Sequence, residues 1–154
     1  MISGHGSCKL RVWNVVTGAC EQVLEEHTAS VYALAVSGSR VVSGSGDESI
    51  KVWAMGAATL WTCEKTLLGH EDHVRSLAVW RGKVLSGSDD STIRAWDVGT
   101  GALDATLAGH DKRVDGLAVH EDRLFSASLD GTIRVWALGG TWAALQTVAR
   151  DVCG

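Results

Sequence analysis

The chain has 154 residues, 45% hydrophobic and 21% charged, a balance that describes a folded domain and excludes an intrinsically disordered one. Fourteen Lys and Arg against eighteen Asp and Glu leave a net charge of −4 with no dense basic run, which argues against general nucleic-acid binding. No apolar run approaches the roughly 20 residues of a membrane helix, and the start MISGHGSCK lacks the basic and apolar regions of a signal peptide, so a cytoplasmic or nuclear location is expected, away from membranes.

Residues 3–13 read as two strands entered partway through a unit, with Ser3 aligning on Ser43 and Trp13 on Trp53, so the innermost strand of that unit is expected to be missing. GACEQVLEEH then supplies an outer strand and leads into VYALAV (31–36), an apolar run that predicts a strand buried on both faces. RVVSGS, the Gly46-Asp47 corner and SIKVWA continue an antiparallel meander. Trp53 to His70 is 17 residues, where Trp13 to His27 and Trp96 to His110 are both 14, which places three extra residues in a surface loop. VRSLAV, KVLSGS, TIRAWD and ALDATLAGH follow, and then VDGLAV, RLFSAS, TIRVWA and WAALQTV, with Arg150-Asp151 where a further Gly-His would stand. The apolar residues alternate or run in short bursts between glycines instead of recurring at i, i+3 and i+4, so the chain should be all-β.

Trp13, Trp53, Trp96 and Trp136 stand 40, 43 and 40 residues apart. Each of the last three follows a histidine by 26 residues (His27, His70, His110), a serine by 10 (Ser43, Ser86, Ser126) and an aspartate by 6 (Asp47, Asp90, Asp130). At these residues the chain resembles the WD-repeat (WD40) β-propeller family. The resemblance lies in Gly69-His70 and Gly109-His110, in the hairpins SGSGDESIKVW, SGSDDSTIRAW and SASLDGTIRVW, and in Trp96-Asp97. It implies an all-β, WD40-type β-propeller segment of about four blades of four-stranded antiparallel sheets. The blades are expected over 1–26 (partial), 27–69, 70–109 and 110–149. A seven-bladed ring of roughly 40-residue units needs nearly twice this length, so the segment is expected to be part of a larger ring. Five departures stand out: Glu26 replaces the glycine before His27, Asn14, Ala54 and Ala137 replace the aspartate after tryptophan, and Ser7 takes the place of the first aspartate.

His, Ser and Asp are also the residue types of a serine hydrolase. Here the set occurs three times at one spacing, each serine lies in S-G-S or S-A-S, and no G-x-S-x-G elbow occurs, so no catalytic residue is expected. The resemblance implies a buried chain instead, in which the indole N–H donates to the serine, the serine to the histidine and the histidine to the aspartate. His70 and His73 lack a third close ligand for zinc, and the glycine-rich corners lack the lysine and helix of a phosphate loop, so neither metal nor cofactor is expected. Cys8, Cys20, Cys63 and Cys153 are widely spaced and read as reduced thiols, while His5 and His120 carry no pattern.

The expected partners are other proteins or peptides. Family partners dock on the face of the inter-blade loops, through positions three and five after the histidine and one before the aspartate. By resemblance these are Ser30, Tyr32 and Gly46, then His73, Arg75 and Asp89, then Arg113, Asp115 and Leu129. The GHxxxVRxL pattern around Arg75 is similar to substrate receptors of F-box/WD-repeat ubiquitin ligases, which implies a second reading, recognition of acidic or phosphorylated peptides by Arg75 and Arg113. Trp61, Trp80 and Trp142 fall outside the repeat positions and are expected to pack partly on their own blades. Stacked repeats bury one another's faces, so open blade faces should promote self-association.

Overall fold

The computed structural model describes residues 1–4, 6, 8–56 and 59–149. The expectations for His5, Ser7, Arg150, Asp151 and Cys153 lie outside the described residues. Among those described there are fifteen strands and no helix, hence none long and apolar enough to cross a membrane.

The strands form four antiparallel sheets. The first holds β1 (Ile2–Gly4), β2 (Leu10–Trp13) and β3 (Cys20–Leu24), and the second β4 (Val31–Ser37), β5 (Arg40–Ser45), β6 (Ile50–Met55) and β7 (Trp61–Leu67). The third holds β8 (Val74–Trp80), β9 (Lys83–Ser88), β10 (Ile93–Asp97) and β11 (Leu103–Leu107), and the fourth β12 (Val114–His120), β13 (Arg123–Ser128), β14 (Thr132–Ala137) and β15 (Ala144–Ala149). Each strand pairs with its neighbour in sequence, so every sheet is a meander. The first sheet has three strands because Ile2–Gly4 already occupies the place of β5, β9 and β13.

Alternation along the central strands sends apolar side chains to both sheet faces, and the core therefore lies between sheets. Trp53 packs with Leu10, Val12 and Leu24 of the first sheet. Trp96 packs with Val42, Ile50, Val52 and Leu67, and Trp136 with Leu85, Ile93, Ala95 and Leu107, each time from one sheet onto the sheet before. The expectation that 31–36 is buried on both faces fails: Val31 is buried, but Tyr32 and Val36 are exposed. β4 is an edge strand of its sheet, so part of its side-chain surface projects past the neighbouring sheets.

Two departures from the repeat pattern have local causes. Asn14 does what the aspartate after tryptophan does, because its Oδ1 accepts the N–H groups of Val16 and Thr17 (2.9 and 3.1 Å). Asp97 Oδ1 likewise accepts the Thr100 N–H at 2.8 Å, a side chain closing its own turn. At Gly69 and Gly109 a Cβ would lie 2.6 and 2.9 Å from Nη1 of Arg94 and Arg134, and φ is +149° and +151°. Glu26 stands in the same place with a negative φ, and the residue at the arginine position there is Lys51, whose Nζ turns to Thr66 Oγ1 at 3.1 Å.

Candidate functional site

Each His–Ser–Asp–Trp set forms one hydrogen-bonded chain. Trp53, Trp96 and Trp136 Nε1 lie 2.8, 2.9 and 2.8 Å from the Oγ of Ser43, Ser86 and Ser126. The same Oγ atoms lie 2.7 Å from Nε2 of His27, His70 and His110. The histidine Nδ1 atoms reach Oδ2 of Asp47, Asp90 and Asp130 at 2.8, 2.6 and 2.8 Å. An indole can only donate and a carboxylate can only accept, so the ends fix the direction: the serine hydroxyl donates to Nε2 and Nδ1–H donates to the aspartate. In the first sheet the described residues form the indole–serine step alone, from Trp13 to Ser3 at 2.8 Å.

The aspartates are hubs. Besides histidine, Asp90 accepts from the Glu71 N–H at 3.1 Å, the Thr92 N–H at 2.8 Å and the Thr92 hydroxyl at 2.7 Å. Burial works to raise the Asp47 pKa, but hydrogen bonds from Ser49, the Thr28 N–H and His27 outweigh it and hold the group at about 2. The same contest leaves Asp90 and Asp130 well below the usual carboxylate range. Burial lowers the His27 pKa against the opposing pull of Asp47, so this imidazole is held neutral.

The geometry resembles a catalytic triad, yet Ser43, Ser86 and Ser126 are completely buried, and each Oγ already accepts an indole N–H. No substrate carbonyl can approach these three serines, which leaves a hydrolase without a nucleophile at the positions that suggested one.

In this network the folded state binds fewer protons than the unfolded chain, so stability should fall on acidification. The fall begins as pH drops below about 6.5, where unfolded His27 charges and folded His27 does not. It continues below about pH 4, because the Asp47 contribution is present above the unfolded pKa and is lost as pH falls through about 2. Urea midpoints measured from about pH 7 down to about pH 3 should decline monotonically. A maximum at acid pH would contradict the proton assignment.

The loop-face positions converge as well. The residue before each aspartate donates its N–H to the carbonyl three after each histidine: Gly46 to Ser30 (2.9 Å), Asp89 to His73 (2.9 Å) and Leu129 to Arg113 (3.0 Å). The residue five after the histidine is the extra residue of a β-bulge. Pairing skips Tyr32 between Val31 and Ala33, Arg75 between Val74 and Ser76, and Asp115 between Val114 and Gly116. A bulge re-aims its side chain out of the regular alternation, and here it does so at the same height in three sheets.

Tyr32 and Arg75 meet across the second and third sheets, with the guanidinium 4.3 Å from the ring centroid. Arg75 also binds Asp89 through Nε (2.9 Å) and Nη2 (2.7 Å), and its Nη2 lies 3.2 Å from His73 Nδ1. Hydrogen bonding from Arg75, against burial, lowers the Asp89 pKa. Asp72, His73 and Asp89 come close enough together to suggest a cation site, but the Arg75 guanidinium already neutralises Asp89. Arg113 Nε lies 2.9 Å from Asp115 Oδ1, and Leu129 is exposed. Ser30 Oγ is turned away to the Gly6 carbonyl at 3.0 Å.

At the other end of the sheets the tryptophans pack across sheets, contrary to the expectation that each rests on its own. Trp80 of the third sheet meets Trp142 beside the fourth edge-on at 5.7 Å, and its Nε1 donates to Asp122 at 3.0 Å. The Trp61 backbone is clasped by the Gln22 amide of the first sheet, N–H to Oε1 at 2.9 Å and Nε2 to O at 2.7 Å. The connection before β7 is long enough to bring Trp61 there; nothing in the spacing of Gln22 signalled the clasp.

The family model described as "WD domain, G-beta repeat" matches residues 18–54, 61–97 and 101–137. Mitochondrial division protein 1 of Aspergillus clavatus is 41% identical over 58 residues, 38% of this chain and 9% of that protein. WD repeat-containing protein pop2 of Schizosaccharomyces pombe is 36% identical over 53 residues, 34% of this chain and 8% of that protein, so the chain matches under a tenth of these relatives' length. The crystal structure of the computationally designed Ika8 protein superposes with a TM-score of 0.85 at 33% identity, over 96% of this chain and 45% of that one. Three matched repeats with one shared buried network in each place the chain in the WD40 family, and its fold is a segment of a WD40 β-propeller.

Proposed function

We propose that this chain is a non-catalytic protein-interaction platform whose ligand face is the end of the sheets carrying the three histidine connections, and that it accepts a basic segment of another protein. The observation that carries this reading is the Tyr32–Arg75–Asp89–His73 cluster. Its aromatic and polar side chains are aimed outward by bulges from two sheets and held in place by one another. Preorganised aromatic and arginine side chains of this kind favour recognition because little freedom remains to be lost on binding.

The charge of this end selects the partner. Connections 25–30, 68–73 and 108–113 and corners 46–49, 89–92 and 129–131, with Lys9, Arg75 and Asp115 beside them, hold eleven carboxylates against the four cations Lys9, Arg75, Lys112 and Arg113. The connections at the opposite end hold two carboxylates and one arginine. An acidic field of this kind speeds and orients the approach of a cationic chain. The reading as a receptor for acidic or phosphorylated peptides, drawn from Arg75 and Arg113, is weakened because each guanidinium already faces a carboxylate of its own sheet.

Peptide arrays of Lys/Arg-rich, neutral and phosphorylated sequences decide between the two. The basic set should bind, weaken with salt, and lose about tenfold in affinity when Tyr32→Ala and His73→Ala are combined. Preferential capture of phosphopeptides, abolished by Arg113→Ala, would overturn the proposal in favour of the acidic-ligand reading.

A further inference from the structure

The one tyrosine of the chain, Tyr32, lies against a histidine and an arginine of the next sheet. His73 Nδ1 is 3.2 Å from Arg75 Nη2, and a guanidinium can only donate, so Nδ1 is the acceptor and carries no proton. The same nitrogen lies 3.4 Å from Asp89 Oδ2 and 3.9 Å from Asp72 Oδ1. An unprotonated Nδ1 has no hydrogen to give either carboxylate. Arg75 supplies the donors instead: its Nη2 serves Asp89 Oδ2 at 2.7 Å as well as His73, while its Nε holds Asp89 Oδ1 at 2.9 Å. Asp72 is kept beside the ring by the His73 backbone N–H, which its Oδ1 accepts at 2.8 Å.

A proton on Nδ1 reverses these relations. The imidazolium N–H becomes a donor facing Asp89 and Asp72, and the lone pair that Arg75 used is gone. Two cations would then stand 3.2 Å apart across one carboxylate, and their repulsion drives the guanidinium from the ring. The 46–49 corner stands beside His73, with Gly46 so near that an added Cβ would lie 3.4 Å from His73 Cδ2 and 3.0 Å from Tyr32 Cε2, so the ring is held on that side. The groups around it are Asp72 on its own connection, Arg75 of β8, Asp89 of the corner after β9 and Tyr32 of β4. Further off are Glu48, exposed on the 46–49 corner, and Arg113, whose charge acts on Asp89. Asp47 and Asp90 are turned to the buried His27 and His70.

We propose that His73 is a proton-operated latch on the loop face: with Nδ1 unprotonated it holds Arg75 over Tyr32, and with Nδ1 protonated it takes Asp89 and releases Arg75 from the tyrosine ring. Histidine is the side chain whose ordinary titration falls between about pH 5 and 8, and the His73 side chain is 41% exposed, so the proton can reach it. The consequence for binding rests on the basic-segment reading. One guanidinium against the carboxylates of Asp72 and Asp89 becomes two cations against the same two carboxylates, and the preformed Tyr32–Arg75 surface is lost. Both changes weaken the hold on a cationic ligand as pH falls.

Tyr32 is its own reporter, because isotope-labelled tyrosine gives the NMR signals of a single ring. Between about pH 7.5 and about pH 5.5 these signals should shift in one step that coincides with the step of the His73 ring. His73→Gln keeps an oxygen that can accept from Arg75 but takes up no proton, and should abolish the step. His120→Gln, at the other end of the sheets, should leave it intact. A Lys/Arg-rich peptide should lose about fivefold in affinity for wild type over the same range, the low end of coupling between linked events, and should keep one affinity for His73→Gln. A Tyr32 ring indifferent to pH, or a step that survives His73→Gln, overturns the latch even where the peptide binds. A Tyr32 step with no peptide binding at either pH supports the latch and overturns the basic-segment reading instead. Affinity that falls equally for wild type and His73→Gln overturns the link between latch and ligand.

Discussion

Replacing Trp96 by alanine should destabilise the chain by about 3–5 kcal/mol, a large share of the 5–15 kcal/mol typical of a whole domain. Two losses add. The ring is 2% exposed and fills the space between Val42, Ile50 and Val52, so its removal leaves a cavity between the second and third sheets. Its Nε1–H is also the donor at the head of the chain through Ser86 and His70 to Asp90.

Asp90→Ala, at the other end of that chain, should cost about 1–3 kcal/mol, because it orphans the His70 Nδ1–H and the donors of Glu71 and Thr92. The double variant should be less unstable than the sum, since each single change already breaks the same network. Urea denaturation of the two singles and the double gives the coupling directly, and simple additivity would dissolve the shared network. Trp13→Ala is the comparison within the same molecule. Its ring is half-buried and has only Ser3 as a partner, so its loss should be much smaller.

Gly87→Ala should cost about 1–3 kcal/mol, although it adds one methyl and keeps an extended strand. That methyl would sit 2.7 Å from Val114 Cγ1 and 2.6 Å from Ser76 Oγ, both fixed by the packing of the third sheet on the fourth. Gly44→Ala should behave alike, against Val74. The reverse change at the equivalent position of the fourth sheet, Ala127→Gly, relieves no clash and should cost no more than the roughly 0.5–1 kcal/mol that glycine costs in a strand. Adding Val114→Ala to Gly87→Ala should recover part of the loss relative to the sum of the two singles. Thermal unfolding of these five variants, the double included, tests the close approach, and equal effects at Gly87 and Ala127 would refute it.

The buried network was legible in the sequence because its chemistry is local to one repeat. Histidine, serine, aspartate and tryptophan recur at fixed distances that single out His70, Ser86, Asp90 and Trp96, and the resemblance to WD-repeat propellers then implies that each polar tip finds its partner within the same repeat. The turn roles of Asn14 and Asp97 are local too, since each side chain closes the few residues after it.

What the sequence determined, then, was the all-β meander and the repeat spacing of the network residues, while the loop-face positions came with the resemblance to the family. Tertiary structure decided where those positions point and whom they meet. Tyr32 and Arg75 are 43 residues apart and touch only because bulges in two separate sheets turn them toward one another. The Nε and Nη2 side of the Arg75 guanidinium is taken, because the strand that follows brings Asp89 beneath it. Trp80 and Trp142, and Gln22 and Trp61, join across sheets for the same reason. A repeat fixes hydrogen bonds within itself through chain spacing, whereas contacts between repeats depend on the twist and stacking of whole sheets, which no single window of sequence encodes.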